Sequence, residues 1–193
     1  KQAQWAYKHI IKSGRKVKII TLVRDPLAVN ISWFFLRLDT HTGVKDAHKN
    51  LSLAEIQEMY IAYASRRPKR ILNWFENQLN PALGINVYNH SFPTNKGYTS
   101  IQKGNQDVLI MRLEMDDAIK ETCIAEFLGI NGFKLQRKHV GEEQEYAEMY
   151  RAFKKSAIIP EDVLDMFYNS KLAQHFYTPT EVEQFREKWE HHE

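Results

Sequence analysis

Hydrophobic and polar positions change their period several times along this chain, and each change marks an element. Val17 to Val23 (VKIITLV) is a near-continuous apolar run rich in β-branched residues, the pattern of a strand buried on both faces of a parallel sheet. Arg24, Asp25 and Pro26 end that run, and Leu27, Ile31, Phe34 and Leu38 then recur at helical spacing. Asp25 supplies a side-chain acceptor for the cap and Pro26 a ring pre-set for the first helical position, so a helix is predicted to start there. The stretch DTHTGVKDAHKN that follows has neither period and reads as a loop. Ser52 and Glu55 form a capping box before a second helix carrying Ile56, Met59, Tyr60 and Tyr63. Pro68 is expected to interrupt it, and the helical pattern resumes through Ile71, Leu72 and Phe75 until Pro81.

GINVYNHSFPTNKGYTSIQKGN alternates and is punctuated by Pro93, Gly97 and Gly104, which predicts a β-hairpin or two short edge strands. DVLIMRLE, Asp107 to Glu114, reads as a second buried strand. It leads into a helix with Ile119, Ile124, Phe127 and Leu128 inward and Gly129 near its stop. Everything from Glu142 onward reads as helical, with Pro160 at the start of one helix and Thr178 capping the last, Pro179 first inside it. Strands separated by helices predict an α/β layer fold with a mostly parallel sheet, in one domain spanning residues 1–193.

Composition narrows the class. With 43% hydrophobic and 26% charged residues the chain reads as an ordinary globular protein, and its single cysteine, Cys123, excludes an internal disulfide framework. No segment approaches the ~20 apolar residues of a membrane helix, and no charged-then-apolar leader opens the chain. A cytoplasmic protein without a membrane span is expected. The net charge of +3 is spread along the chain, which leaves room for an anionic ligand but does not call for nucleic acid. The densest basic groups are Arg66 to Arg70 (RRPKR) and the pair Arg137 and Lys138.

Candidate chemistry concentrates where the first strand ends. Asp25 and Ser32 are seven residues apart, close to two helical turns, so they share a helix face about 10 Å apart along the axis. Arg24 lies at the carboxyl end of the strand, the edge at which open α/β folds usually bind ligands. A guanidinium fork and a hydroxyl suit the oxygens of a phosphate monoester. The bland alternative is that Arg24 pairs with a nearby carboxylate and Ser32 bonds back to the carbonyl of Ala28, a common habit of helical serines.

The run LVRDPLAVNIS resembles the phosphate-binding strand and helix of sulfotransferases, in which an Arg ending the strand and a Ser eight positions later hold the 3′-phosphate of phosphoadenosine phosphosulfate (PAPS). VLIMRLEMDD followed by AEFLGI is similar to the later strand, acidic turn and helix of that superfamily. GINVYNHSFPTNKGY and YNSKLAQHFYTPTEVEQFREKW look like a bacterial sulfotransferase-like group of capsular polysaccharide synthesis proteins. The resemblance implies a three-layer α/β/α, P-loop NTPase-like fold with PAPS as sulfate donor and a hydroxyl-bearing acceptor, such as a capsule or surface carbohydrate. It assigns Arg24 and Ser32 to the nucleotide, and Arg137 and Lys138 to a further contact with its 3′-phosphate.

One part of that pattern is missing: neither GxxxxGK[ST] nor the sulfotransferase variant PKxGTT occurs. The expectation is that the first strand and phosphate loop belong to sequence preceding Lys1. By resemblance no metal is required, and no HExxH or paired Cys/His spacing is present. His41, after the Arg24 to Ser32 helix, and His90, in the predicted hairpin, are the candidate general bases, since imidazole titrates near working pH. Glu114 is a candidate to orient Arg24, or to cap a neighbouring helix. Trp33, Phe34 and Phe35 read chiefly as core, with Trp33 off the stripe and a candidate to line a pocket, and Lys96 and Tyr98 fall in a candidate acceptor loop that also reads as a plain turn. Two other readings stay open. One is a kinase-like P-loop enzyme, which would need a Walker loop and a Mg²⁺ carboxylate; the other is a non-catalytic relative that keeps an anion site.

Overall fold

The computed structural model describes residues 7–66, 69–136 and 144–190. In chain order the main elements are strand β1 (Val17–Val23), helix α1 (Pro26–Leu36), helix α2 (Leu53–Arg66), strands β2 (Tyr98–Lys103) and β3 (Gln106–Arg112), and helix α3 (Asp117–Leu128). Four more helices follow: α4 (Ala147–Ser156), α5 (Glu161–Tyr168), α6 (Lys171–Phe176) and α7 (Pro179–Glu190). Short helical turns fill several connections, among them Leu38–Thr42, Ala47–Asn50, Lys69–Leu72 and Asn80–Leu83. The chain divides into two compact units, 1–24 with 73–135 and 25–72 with 136–193.

The first unit is built on a three-stranded sheet in the order β1-β3-β2. β1 and β3 are parallel, from Val17 opposite Gln106 to Val23 opposite Arg112, whereas β2 and β3 form an antiparallel hairpin turning at Gly104 and Asn105. The sheet is therefore mixed and small, not mostly parallel. The reason is local: only two residues separate β2 from β3, and a connection that short joins only antiparallel strands. Helix α3 packs Cys123 and Ile124 against Leu109 and Met111 on one face of β3. Lys18 donates to the carbonyl of Phe127 and sits 5.4 Å from its ring centroid, fastening β1 to the end of that helix. The alternate β3 residues Val108 and Ile110 are fully buried on the other face.

The second unit is all helical. Asp25 caps α1 as expected: its Oδ1 accepts from the amides of Leu27 at 3.0 Å and Ala28 at 3.3 Å, while Pro26 occupies the first turn. The predicted stripe Leu27, Ile31, Phe34 and Leu38 is buried throughout. Phe34 meets Tyr60 at 5.3 Å between centroids, and Phe35 meets Phe153 at 5.2 Å, both edge-on, so α1 is held between α2 and α4 by aromatic contacts. The capping box of α2 forms as read, with Ser52 N donating to Glu55 Oε2 at 2.7 Å and Glu55 N donating to Ser52 Oγ at 3.3 Å. Thr178 and Glu181 repeat the device at α7.

Several local expectations change: β1 is not buried on both faces, with Ile20 and Leu22 exposed, and Ile119, read as inward, is 50% exposed. Asp39 to Asn50 is not a plain loop: Leu38–Thr42 and Ala47–Asn50 are helical turns, because the Asp39 carboxylate accepts from the amides of Asp46 (2.8 Å) and Ala47 (3.0 Å) and ties them together. Those two amide bonds, that to Ala47 foremost, hold the Asp39 pKa below its ordinary value. The chain also passes Pro81 in a helical turn that ends at Gly84, since a proline in the first turn leaves no amide to satisfy. The predicted hairpin begins only at Tyr98; Val87–Asn89 upstream is a 3-10 turn. Pro68, the expected helix interruption, lies outside the described residues.

Candidate functional site

The division between the two units falls at the peptide joining Arg24 to Asp25. Arg24 leaves the carboxyl end of β1, where the amide of Leu113 donates to the carbonyl of Val23 at 2.7 Å and carries the parallel pairing one residue past Arg112. Arg24, Arg112 and the turn at Leu113 and Glu114 thus share one end of the sheet. Lys120, 6% exposed, braces that turn: its Nζ donates to the carbonyl of Leu113 at 2.8 Å and pairs with Asp117 at 2.8 Å. The Arg24 side chain thus leaves the sheet from an edge whose turn is held by these bonds.

Arg24 is half-buried and makes no ion pair or side-chain hydrogen bond with a described residue. The carboxylate partner that would have given it a purely structural role is absent among those residues. Ser32 is half-buried on α1, in the second unit, and its hydroxyl likewise engages no described residue. Other helical hydroxyls do turn back on the helix, as Ser65 does to Ile61 at 2.9 Å and Thr122 to Ala118 at 2.9 Å. Ser32 does not follow them, so the Arg24 fork in the first unit and the Ser32 hydroxyl in the second are each uncommitted to any described residue.

The remaining candidates separate by environment. His41 sits in the turn Leu38–Thr42, not in a loop; its Nδ1 lies 3.2 Å from the carbonyl of Phe34, and its ring stacks on Phe34 at 5.7 Å and Tyr63 at 4.5 Å. A ring so held is chiefly a packing element with one nitrogen left over. His90 is exposed at the end of the 3-10 turn, and its imidazole has no described partner. Asp116 caps the following helix, accepting from the amide of Ala118 at 2.8 Å. Arg137 and Lys138 lie outside the described residues.

Lys96, Gly97 and Tyr98 enter β2 beside the Arg112 end of the sheet. Gly97 has φ +76°, and a Cβ there would stand 2.8 Å from Met115 Cγ, so both backbone and packing demand glycine. The neighbouring Cys123 thiol raises the Tyr98 pKa above its ordinary value. Tyr98 is thereby tied into the sheet's packing with α3. Sequence reasoning passed over Arg112, whose placement beside Arg24 follows only from strand register. It also passed over the surroundings of Trp33: the indole carries Arg37, 5.2 Å from its centroid, and Arg70, 5.0 Å away. The four-residue spacing from Trp33 to Arg37 was a usable signal; the approach of Arg70 was not.

Among the described residues no three His, Cys, Asp or Glu side chains gather as metal ligands do, and no helix is long and apolar enough to cross a membrane. A family model described as "Putative capsular polysaccharide synthesis protein" matches residues 46–178. That span is more than half of the chain; it includes His90, Tyr98 and Arg112 and begins after Ser32. No curated protein and no solved structure matches.

Proposed function

The chain belongs to that capsular polysaccharide synthesis family, and from this premise we propose that it is a PAPS-dependent sulfotransferase acting on a hydroxyl of a capsule or surface saccharide. The supporting observation is that Arg24 and Ser32, the two side chains assigned to the 3′-phosphate by resemblance, are both uncommitted to any described residue. An Arg fork and a neutral hydroxyl fit a phosphate dianion chemically, the first by paired charge-assisted bonds and the second by one more donor. Arg137 and Lys138 are proposed to add to that contact.

Sulfuryl transfer is an in-line displacement. The acceptor oxygen forms a new bond to sulfur while the bond from sulfur to the 5′-phosphate oxygen breaks, and the acceptor's proton passes to a base. The protein's part is orientation and stabilisation of charge on the departing phosphate. Of the two candidate bases, His90 has the freer imidazole, since one nitrogen of His41 is turned to the Phe34 carbonyl.

The test is a titration with adenosine 3′,5′-bisphosphate (PAP), the desulfated product. Expected are a rise in Tm of the wild-type chain and loss of most of that rise in Arg24→Ala and Ser32→Ala. An equal rise in all three would overturn the assignment of the site. A non-catalytic anion-binding relative is separated from an enzyme by transfer of labelled sulfate from PAPS to saccharides, which only the enzyme performs.

A further inference from the structure

Trp33 faces away from the buried stripe of α1 and is half-exposed, with the guanidinium carbons of Arg37 and Arg70 within 5.2 and 5.0 Å of its ring centroid. Both arginines are exposed, and neither makes an ion pair or side-chain hydrogen bond with a described residue. The indole attracts each guanidinium through its ring quadrupole and limits where each can go. It does not cancel their charge, and the two like charges repel one another on a single ring. Each fork also retains donors that no described acceptor meets. A cation pair ordered by an aromatic plate, with no described carboxylate between, suits an anion with oxygens enough for both forks.

We propose that Trp33, Arg37 and Arg70 form a binding site for a carboxylate-bearing saccharide, the acidic segment of the polymer on which the chain acts. The choice of saccharide rests on the family and on the function proposed above, which this deepens by naming an acceptor class; the anion site itself rests on the geometry alone. The site is compact and the rest of the net charge of +3 is dispersed, which suits a short acidic sugar segment and not the long basic stripe of a nucleic-acid surface. Leu36, three residues from Trp33 and 50% exposed, adds apolar ground of the kind a sugar ring's C–H face covers.

Isothermal titration of the full chain with a short oligogalacturonate tests the site directly. Binding is expected, weakening as salt rises, with affinity reduced about tenfold or more in Arg37→Ala and in Arg70→Ala. Trp33→Leu is expected to weaken it too, by unfastening both forks. A neutral maltooligosaccharide of the same length is expected not to bind. The three side chains lie outside the core stripe, and unchanged circular dichroism and Tm in the arginine variants confirm that folding is intact. Equal affinity for the neutral sugar, unchanged affinity in both arginine variants, or tighter binding of an oligonucleotide of matched charge each overturns the proposal. A parallel PAP titration keeps the two readings apart. Galacturonate binding without PAP binding leaves this site standing and removes the sulfotransferase; PAP binding without galacturonate binding does the reverse.

Discussion

The hydroxyl of Tyr168 on α5 donates to Asp25 Oδ1 at 3.1 Å, joining residues 143 positions apart in sequence. The same oxygen already receives the amides of Leu27 and Ala28, so one carboxylate both caps α1 and fixes α5 to it. Asp25 is 6% exposed, and a buried carboxylate depends on its donors. Tyr168→Phe removes a donor without opening a cavity. It is expected to lower the unfolding free energy by about 1 to 3 kcal/mol, read from the denaturation midpoint at constant slope. An unchanged midpoint would show that the bond contributes nothing to stability.

Phe34 is fully buried and touches Phe35, Tyr60 and Tyr63 at once. Phe34→Ala is expected to cost about 3 to 5 kcal/mol, the range for an aromatic ring removed from a packed core. Arg24→Ala, by contrast, breaks no described ion pair and is expected to leave the midpoint within about 0.5 kcal/mol of wild type. A large loss in Arg24→Ala would mean that the residue serves the fold and not a ligand.

Gly97→Ala meets two obstacles, a positive φ and the Met115 side chain. Destabilisation of about 1 to 3 kcal/mol is expected, with the damage confined to the start of β2. Amide hydrogen exchange checks this: protection should fall at Tyr98 and Arg112, which flank the substitution, and hold in α4 and α5.

Burial raises the pKa of Tyr60, Tyr88 and Tyr168 above the ordinary 10.0. The folded state therefore holds these protons more tightly than the unfolded chain does. The stability they contribute is fully present below pH 10.0 and declines as pH rises from there toward the folded-state values. Tyrosinate absorbance should show the three ionising only together with loss of near-ultraviolet circular dichroism. Independent ionisation in a folded protein would contradict their burial.

Capping chemistry was the most legible part of the fold. Asp25, Ser52 and Thr178 each cap where their sequence neighbourhood says, because a cap is settled within three residues. The buried stripe of α1 was legible for the same local reason. Sheet order was not: that Gln106–Arg112 pairs with β1 on one side and with β2 on the other is a matter of register between distant segments. The turn at Leu38–Thr42 escaped notice because its organiser, Asp39, bonds to amides seven and eight residues ahead. Sequence named Arg24 and Ser32 but not that neither engages a described residue, which depends on how the rest of each unit packs. The Arg70 side of the indole was invisible likewise.

β1 is an outer strand of its sheet among the described residues, and helix α3 covers β3 more fully than β1. Ile20 and Leu22 keep 37% and 51% of their surface in solvent, with Lys18 the one charged residue in the strand. An outer strand that keeps apolar side chains in solvent favours pairing with a like edge, so association that grows with protein concentration is expected of these residues, and Leu22→Lys is expected to suppress it.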